Sequence, residues 1–540
     1  MSDSYDYIVV GAGSAGCVLA SKLSADPEVT VLLVEAGPDD SHPMIHMPKG
    51  FGKIAASKAH SWDFQATPGP DGSASTQAWM SGRMIGGSSS NNGLQYQRGQ
   101  PEDYDAWERE LGLAGWGWSQ MGRIFRAMED HELGGNAWRG AGGPLTVTLT
   151  RNRTMLTDRI IEAGTQMGLP RKLDPNEPDP EGIGPLNATI RDGRRWSAAK
   201  AFLAPARGRP NLTVMTGIEV DRIALDGRRA TGVQALVGGV RKSFMAAREV
   251  IVSGGALNSP RLLQRSGIGP GAQLQALGVP VVHDAAQVGT DLREHVVLTM
   301  QYRLSGDYSQ NKQYSGWRLG LHALRYALFH SGLLSCPPYD VTAFVKSRPD
   351  LARPDLQLVA GAMSVDLKRW KGFSAGIPFE REPGAQVLGY FLWPQSRGSV
   401  MITSPAADAA PRIVHGMLSH PVDCEAAIAT VRLIRRLFEQ PALKPFVQGE
   451  TLPGAGVQTD DEVLAFCKMI CGPGYHPAGT CRMGTDANSV VDQRLRVRGI
   501  DALRVADLSV IPTLVSGNTN GPAMAVGWRA SELVLEDAAR

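Results

Sequence analysis

The chain has 540 residues, more than one small hydrophobic core requires, so two or more domains, or one large domain with insertions, are expected. Its 55 Lys and Arg against 53 Asp and Glu leave a formal charge of +2, which as a whole offers no electrostatic footprint for nucleic acid or an anionic membrane. Six cysteines, among which only Cys467 and Cys471 share a helical face, supply neither a disulfide framework nor a metal-ligand set, and the expectation is a cytoplasmic protein with reduced thiols and no bound metal.

The first strand begins too close to residue 1 to leave room for a signal peptide, and no apolar run reaches the roughly 18 residues that span a bilayer. Tyr7-Ile8-Val9-Val10 is a short β-branched run that breaks into Gly11-Ala12-Gly13-Ser14-Ala15-Gly16, after which residues 17–23 continue in helix formers. A second apolar run, 29–34, ends in Glu35-Ala36-Gly37 and closes a β-α-β unit. Gly11 permits the turn off the strand, Gly13 admits a pyrophosphate, and Gly16 lets the helix approach the sheet. The helix N-terminus at Ser14 and Ala15 presents free N–H groups and a positive dipole end. Glu35, followed by Ala36, lies 19 positions after Gly16, where a carboxylate accepts from ribose hydroxyls and repels a phosphorylated ribose. This disfavours NADP, but the glycine pattern alone does not separate FAD from NAD.

After Gly37 the chain is polar and rich in Pro and Gly around Trp62 and Trp79, and it reads as irregular surface structure. Residues 81–93 then collect Arg83, Gly86, Gly87, Ser88, Asn91, Asn92 and Gly93. Small side chains there let backbone crowd a flat ligand, and the run is unlike a flexible linker in carrying Arg83-Met84-Ile85. Residues 101–128 read as helical, with Trp107, Trp116 and Trp118 in the core. Residues 211–220 read as a strand, and 248–253 as another that runs into the Gly254-Gly255 turn, where backbone can again approach a dinucleotide. From about 300 to 460, alternating runs at 297–302, 356–360 and 387–392 suggest an antiparallel sheet, with helices at 319–329 and 424–438. Near the end, 503–507 is a strand closing on Asp507, and Gly517-Asn518-Thr519-Asn520-Gly521-Pro522 opens a final helix through 530.

Three stretches together resemble the glucose-methanol-choline (GMC) oxidoreductase family of FAD enzymes: the first strand with GAGSAG and the GRMIGGSSS segment, residues 255–269 (GALNSPRLLQRSGIG), and residues 476–528. The likeness runs from near residue 5 to near residue 535 and is nearest the bacterial choline-dehydrogenase-like branch. It implies an α/β (α+β) fold in which a Rossmann-type FAD-binding domain is joined to a substrate domain built on an antiparallel sheet flanked by helices. The FAD-binding domain then takes 1–155, 195–300 and 461–540, the last part with the catalytic residues, and the substrate domain takes 156–194 and 301–460. In such a fold the glycine-rich run 136–144 covers the active-site entrance, 197–203 returns the chain to the cofactor domain, and Val220 meets the adenine through its backbone. Tyr339, Phe344, Phe391 and Trp393 are candidates for the substrate wall, although an aromatic stripe is also what a core needs. In 288–295 Asp291 stands where asparagine is usual, and the counterpart of His295 is structural. Where some relatives link FAD covalently through a histidine, this chain has Asn91, which implies non-covalent FAD.

The resemblance also places the chemistry. Gly474-Tyr475-His476-Pro477-Ala478-Gly479-Thr480-Cys481-Arg482-Met483-Gly484 resembles the element carrying the family's active-site histidine, at His476. By its offset to Arg529 the second catalytic position is Asn518, with Asn520 as its rival, and Gly254, Asp507, Thr519, Asn520 and Pro522 border the cofactor. The implied reaction is oxidation of an alcohol, expected to be primary, to an aldehyde: His476 takes the hydroxyl proton, Asn518 donates to the oxygen, and hydride passes to flavin N5. Electrons then go to O2 or a quinone-type acceptor, from a monomer or homodimer. Relatives that use the same fold as hydroxynitrile lyase or flavin photodecarboxylase are the alternative.

Overall fold

The N-terminal apolar run is the centre of a sheet. In the computed structural model, which describes residues 4–151, 154–370, 372 and 376–540, β1 (Ser4–Val10) pairs in parallel with β2 (Val31–Val34) on one side. On the other side it pairs with the second half of the long strand Val240–Val252. Leu212–Met215 adds beyond β2, and Leu503–Val505 beyond Val240–Val252, so five parallel strands bring their carboxyl ends to one edge. That edge is where an open α/β sheet binds ligands. The first half of Val240–Val252 leaves this core and continues an antiparallel meander, Glu219–Asp226 and Arg229–Val237. The strands are Val, Ile and Leu rich and nearly wholly buried, as a sheet covered on both faces requires.

α1 (Ser14–Leu23) crosses from β1 to β2 and is covered by the C-terminal helix Asn520–Ala538. Their approach is set by one glycine: a Cβ on Gly527 would stand 2.5 Å from the carbonyl oxygen of Ala15.

A second seven-stranded sheet is antiparallel and runs Val447–Leu452, Val296–Leu304, Gly384–Phe391, Leu356–Gly361, Val341–Val345, Gly182–Pro185, with Gly472–Pro473 attached to Val296–Leu304. Helices Met155–Gln166, Pro421–Phe438 and Asp460–Ile470 bury one face of it around Leu298, Met300, Val387, Val431 and Ile434. Gln386, Leu388 and Tyr390, of alternate parity, turn from that core into a cavity.

Several sequence expectations change at this level. The first helix starts at Ser14, inside the glycine motif, which puts its N-terminus directly at the turn. The supposedly irregular region after Gly37 contains an antiparallel hairpin, Ser61–Thr67 with Gln77–Gly82, that carries Trp62 and Trp79. Residues 101–128 form two helices, Pro101–Arg109 and Trp118–Met128, because Gly112 and Gly115 between them adopt positive φ. Residues 211–220 divide into two strands at Gly217, also at positive φ. The run 136–144 does not line the cavity; it wraps the buried Arg98–Glu129 ion pair, with Gly140 N–H donating to Glu129 and Arg139 pairing with Asp174. Among the described residues no helix is long and apolar enough to cross a membrane, and no disulfide joins any of the six cysteines.

Gly527→Ala is expected to lower stability by about 1–3 kcal/mol, because the methyl group has only backbone to displace; chemical denaturation of the purified protein measures it.

Candidate functional site

A single cavity of about 1620 Å³ extends from the carboxyl ends of the parallel strands to the open face of the antiparallel sheet. Its size exceeds the roughly 300–1,000 Å³ of a drug-sized pocket, leaving room for a dinucleotide and a further small molecule.

The dinucleotide end is built by close backbone crossings. A Cβ on Gly16 would lie 1.9 Å from the Gly11 carbonyl oxygen, and one on Gly87 would lie 2.7 Å from the Gly13 Cα, so the two glycine-rich motifs touch only because both are bare. Gly86, at φ 88°, donates its N–H to the Ala12 carbonyl and locks the motifs together. Gly13, Ser14 and Ala15 line the cavity, and the first intrahelical bond of α1 begins only at Cys17, so the N–H groups before it face outward. Glu35 accepts from Ala12 N–H and Gly37 N–H, one per carboxylate oxygen, each at 2.9 Å. Burial pushes its carboxyl up to about 7, and each oxygen keeps a second lone pair for a ribose hydroxyl. Asp507 accepts from Gly255 N–H, Ser259 Oγ and Ser509 N–H, which fixes the loop after the last parallel strand. This bare, N–H-rich cradle with a ribose-binding acid fits FAD.

The sequence-derived residues divide clearly. Gly11, Gly13, Ser14, Ala15, Glu35, Ala36, Gly87, Ser88, Asn91, Asn92, Gly93, Val220, Gly254, Asp507, Thr519 and Asn520 line the cavity, together with His476 and Asn518. Gly16, Gly86, Arg83 and Pro522 do not. The first two act through backbone packing, Arg83 lies over the Trp62 ring at 4.8 Å, and Pro522 is buried in the first turn of the C-terminal helix. Val220 carries its carbonyl against Arg265 Nη2 at 3.1 Å, so that oxygen is already engaged. Asn520 and Asn518 part company: Asn520 Oδ1 accepts from Ser14 Oγ at 2.8 Å, whereas Asn518 Nδ2 stands 3.1 Å from His476 Nε2.

At the junction of cradle and chamber, residues 293–297 pair with 472–478 and set His295 beside His476, Nδ1 to Nδ1 at 3.0 Å. His295 Nε2 is 2.9 Å from the Leu392 carbonyl oxygen. A carbonyl can only accept, so His295 Nε2 is the protonated nitrogen, and in the neutral ring its Nδ1 is an acceptor. His476 must therefore donate from Nδ1, which leaves the lone pair on Nε2, facing Asn518 and the cavity. The Asn518 amide is oriented by Gln357 Nε2, which donates to its Oδ1 at 3.3 Å, and Gln357 is itself fixed by Tyr390, whose hydroxyl donates to Gln357 Oε1. The loop bearing Asn518 is held through Ser516, whose N–H donates to Asp103 and whose hydroxyl accepts from Trp393. Behind His476, Glu294 Oε1 accepts the His476 backbone N–H at 2.7 Å; its other oxygen is buried with no hydrogen-bond partner among the described residues, and burial holds the carboxyl well above its usual range.

Sequence reasoning left out His295 and Tyr390. Of the four aromatic candidates only Tyr339 lines the cavity; Phe344 is core, Phe391 packs toward the helix-covered face, and Trp393 braces the Asn518 loop. The missed signal was strand parity: Gln386, Leu388 and Tyr390 share a face that Phe391 cannot.

Comparison with known proteins agrees with the geometry. Residues 5–297 match the amino-terminal part of the GMC oxidoreductase family and 394–527 its carboxy-terminal part. The chain is 38% identical to an oxygen-dependent choline dehydrogenase of Rhizobium etli, over 98% of this chain and 95% of that one. It is 36% identical to an alcohol dehydrogenase [acceptor] of Pseudomonas putida, over 98% and 96%. Among solved structures it is similar to pyridoxine 4-oxidase from Mesorbium loti, with a TM-score of 0.89 and 30% identity over 98% of this chain and 99% of that one.

The paired imidazoles give the site a pH signature. Burial lowers His476 well below 6.5, with His295 adding to it, and burial lowers His295 to about 4. In the unfolded chain both take up a proton near pH 6.5, while in the fold His295 stays neutral down to about 4. The unfolded state thus binds more protons across this window, and stability falls as pH drops through it. His295→Gln should show a smaller drop in denaturant midpoint between pH 7 and pH 5 than the wild type.

Proposed function

The chain belongs to the GMC oxidoreductase family, and from that premise we propose that it oxidises an alcohol, primary in the reading we favour, to an aldehyde, with FAD as cofactor and His476 as base. The observation that carries this reading is the oriented lone pair of His476 Nε2, 3.1 Å from the Asn518 amide, where the dinucleotide cradle opens into the chamber. FAD, when bound, takes up the hydride released by the carbinol carbon.

The protein's own residues supply the rest. His476 is neutral at physiological pH, so Nε2 is free to take the hydroxyl proton as the C–H bond breaks. Its Nδ1 proton stays in the hydrogen bond to His295, which prevents the ring from flipping its tautomer and presenting N–H to the substrate. Asn518, its carbonyl oxygen held by Gln357 and Gln357 in turn by Tyr390, keeps an N–H available to the substrate oxygen as negative charge develops. The first turn of Asn520–Ala538 and the outward N–H groups of α1 would hold the cofactor, with Glu35 for its ribose.

Further parts of the reading rest on the same features. Non-covalent FAD is supported by Asn91, whose amide donates to Ser61 Oγ at 3.1 Å and cannot form the link a histidine forms. Residues 1–155, 195–300 and 461–540 form the FAD-binding domain and 156–194 and 301–460 the substrate domain, a division supported by the two sheets. The electron acceptor is O2 or a quinone-type carrier; the name of the Rhizobium relative, an oxygen-dependent choline dehydrogenase, supports O2, and that of the Pseudomonas relative, an alcohol dehydrogenase [acceptor], supports an acceptor of unstated kind. Six cysteines with no disulfide among the described residues support a reducing, cytoplasmic compartment.

His476→Ala should slow anaerobic bleaching of the bound flavin by an alcohol at least ~10²-fold with FAD still bound, and Asn518→Ala by ~10²-fold; loss of FAD from either variant would make that residue structural. Acid precipitation of the wild type should leave the yellow colour in the supernatant, and colour in the pellet would refute non-covalent binding.

A further inference from the structure

The helix Gly316–Phe329 has 14 residues and buries only Tyr326, whose hydroxyl donates to the His46 carbonyl at 3.2 Å. At 3.6 residues per turn, Leu319, Ala323 and Tyr326 fall within about 60° of arc on its inner side, and Leu319 and Ala323 line the cavity. Trp317, Leu321, Leu324 and Leu328 fall within about 60° on the opposite side. They are 71, 56, 57 and 62% exposed; Phe329, in the last turn on the flank of Arg318 and Arg325, is 71% exposed, and none of the five lines the cavity. A helix apolar on both faces is normally buried on both, so the outward stripe calls for a cover.

The charge around it selects that cover. From 308 to 339 the sequence has no Asp or Glu, while Lys312, Arg318 and Arg325 lie within it. Arg318 and Arg325 project from the same flank of the helix, about 70–90° from the centre of the stripe. Lys312 pairs with Asp307, but Arg318 lies over the Trp317 ring at 5.4 Å and Arg325 bonds the Ser331 hydroxyl. At the C-terminal end Arg194 joins the His330 ring at 2.7 Å, and the turn before it holds Asp192 beside Arg191. An antiparallel two-fold contact with a second copy would set Arg318 and Arg325 of both chains together, which like charges oppose. An anionic lipid surface complements them, with Trp and Leu at the acyl boundary and Arg among the headgroups.

We propose that Gly316–Phe329 is an interfacial helix that docks the protein, through Trp317, Leu321, Leu324, Leu328 and Phe329 with Arg318 and Arg325, on an anionic lipid surface. The wall of the cavity is then the docking element itself, and the chamber lies one helix thickness from the bilayer. The inference is independent of the reaction assigned above.

FAD-loaded, full-length protein is to be sedimented with phosphatidylcholine vesicles, with and without about 30% phosphatidylglycerol. Wild type should bind the anionic vesicles at least ~10-fold more tightly than the neutral ones, and Leu321→Glu with Leu328→Glu should lose that binding at least ~10-fold with the flavin spectrum intact. Arg318→Gln with Arg325→Gln, which keeps the apolar stripe, should bring anionic binding down toward the neutral value, and it carries the test if the Leu pair fails to fold. Wild type that ignores the anionic vesicles overturns the proposal. So does equal binding to both vesicle types, and so does a dimer in sedimentation equilibrium that Leu321→Glu with Leu328→Glu dissociates without any vesicle binding.

Discussion

A carbonyl oxygen has no proton to give, and the orientation of the whole site follows from where one of them sits. The Leu392 carbonyl, 2.9 Å from His295 Nε2, decides which nitrogen of that ring is protonated. His295 decides the same for His476, and the Nε2 lone pair of His476 is left facing Asn518. Each step is a choice between two tautomers in a buried setting, where an unmatched donor or acceptor costs about 1–3 kcal/mol. Burial also keeps both rings uncharged, so the base is available without a carboxylate partner on Nδ1. The nearest acid, Glu294, instead meets the backbone of His476.

What the sequence made legible was local. The β-α-β unit could be read because strand, glycine turn, helix and acid lie within residues 4–37, and each has a short-range cause. His476 and Asn518 were legible only through likeness to a family, since 42 residues separate them and no spacing rule joins an imidazole to an amide across two loops. His295 was named but read as structural and kept out of the site, since nothing local ties it to His476, 181 positions away. Tyr390 was within reach, because the alternation that identified its strand also states which residues share its face. The entrance was misjudged: a glycine-rich run suggested a lid, but at 136–144 it serves to bring N–H groups onto buried Glu129.

Composition averages conceal local charge. A formal +2 over 540 residues gives no footprint for a surface, yet 308–339 is free of acids and holds the most exposed apolar helix of the described residues. The two readings concern different length scales, since beyond about a Debye length of 8 Å at physiological ionic strength the rest of the surface is screened from that patch.

The tautomer of His476 is the point on which the account turns, and ¹⁵N NMR of ring-labelled histidine in the FAD-bound protein near pH 7 reads it directly, with His476→Asn and His295→Gln assigning the signals. The account predicts a neutral His476 ring, protonated at Nδ1 and bare at Nε2, that stays so well below pH 6.5. A ring protonated at Nε2, or an imidazolium at pH 7, would contradict it.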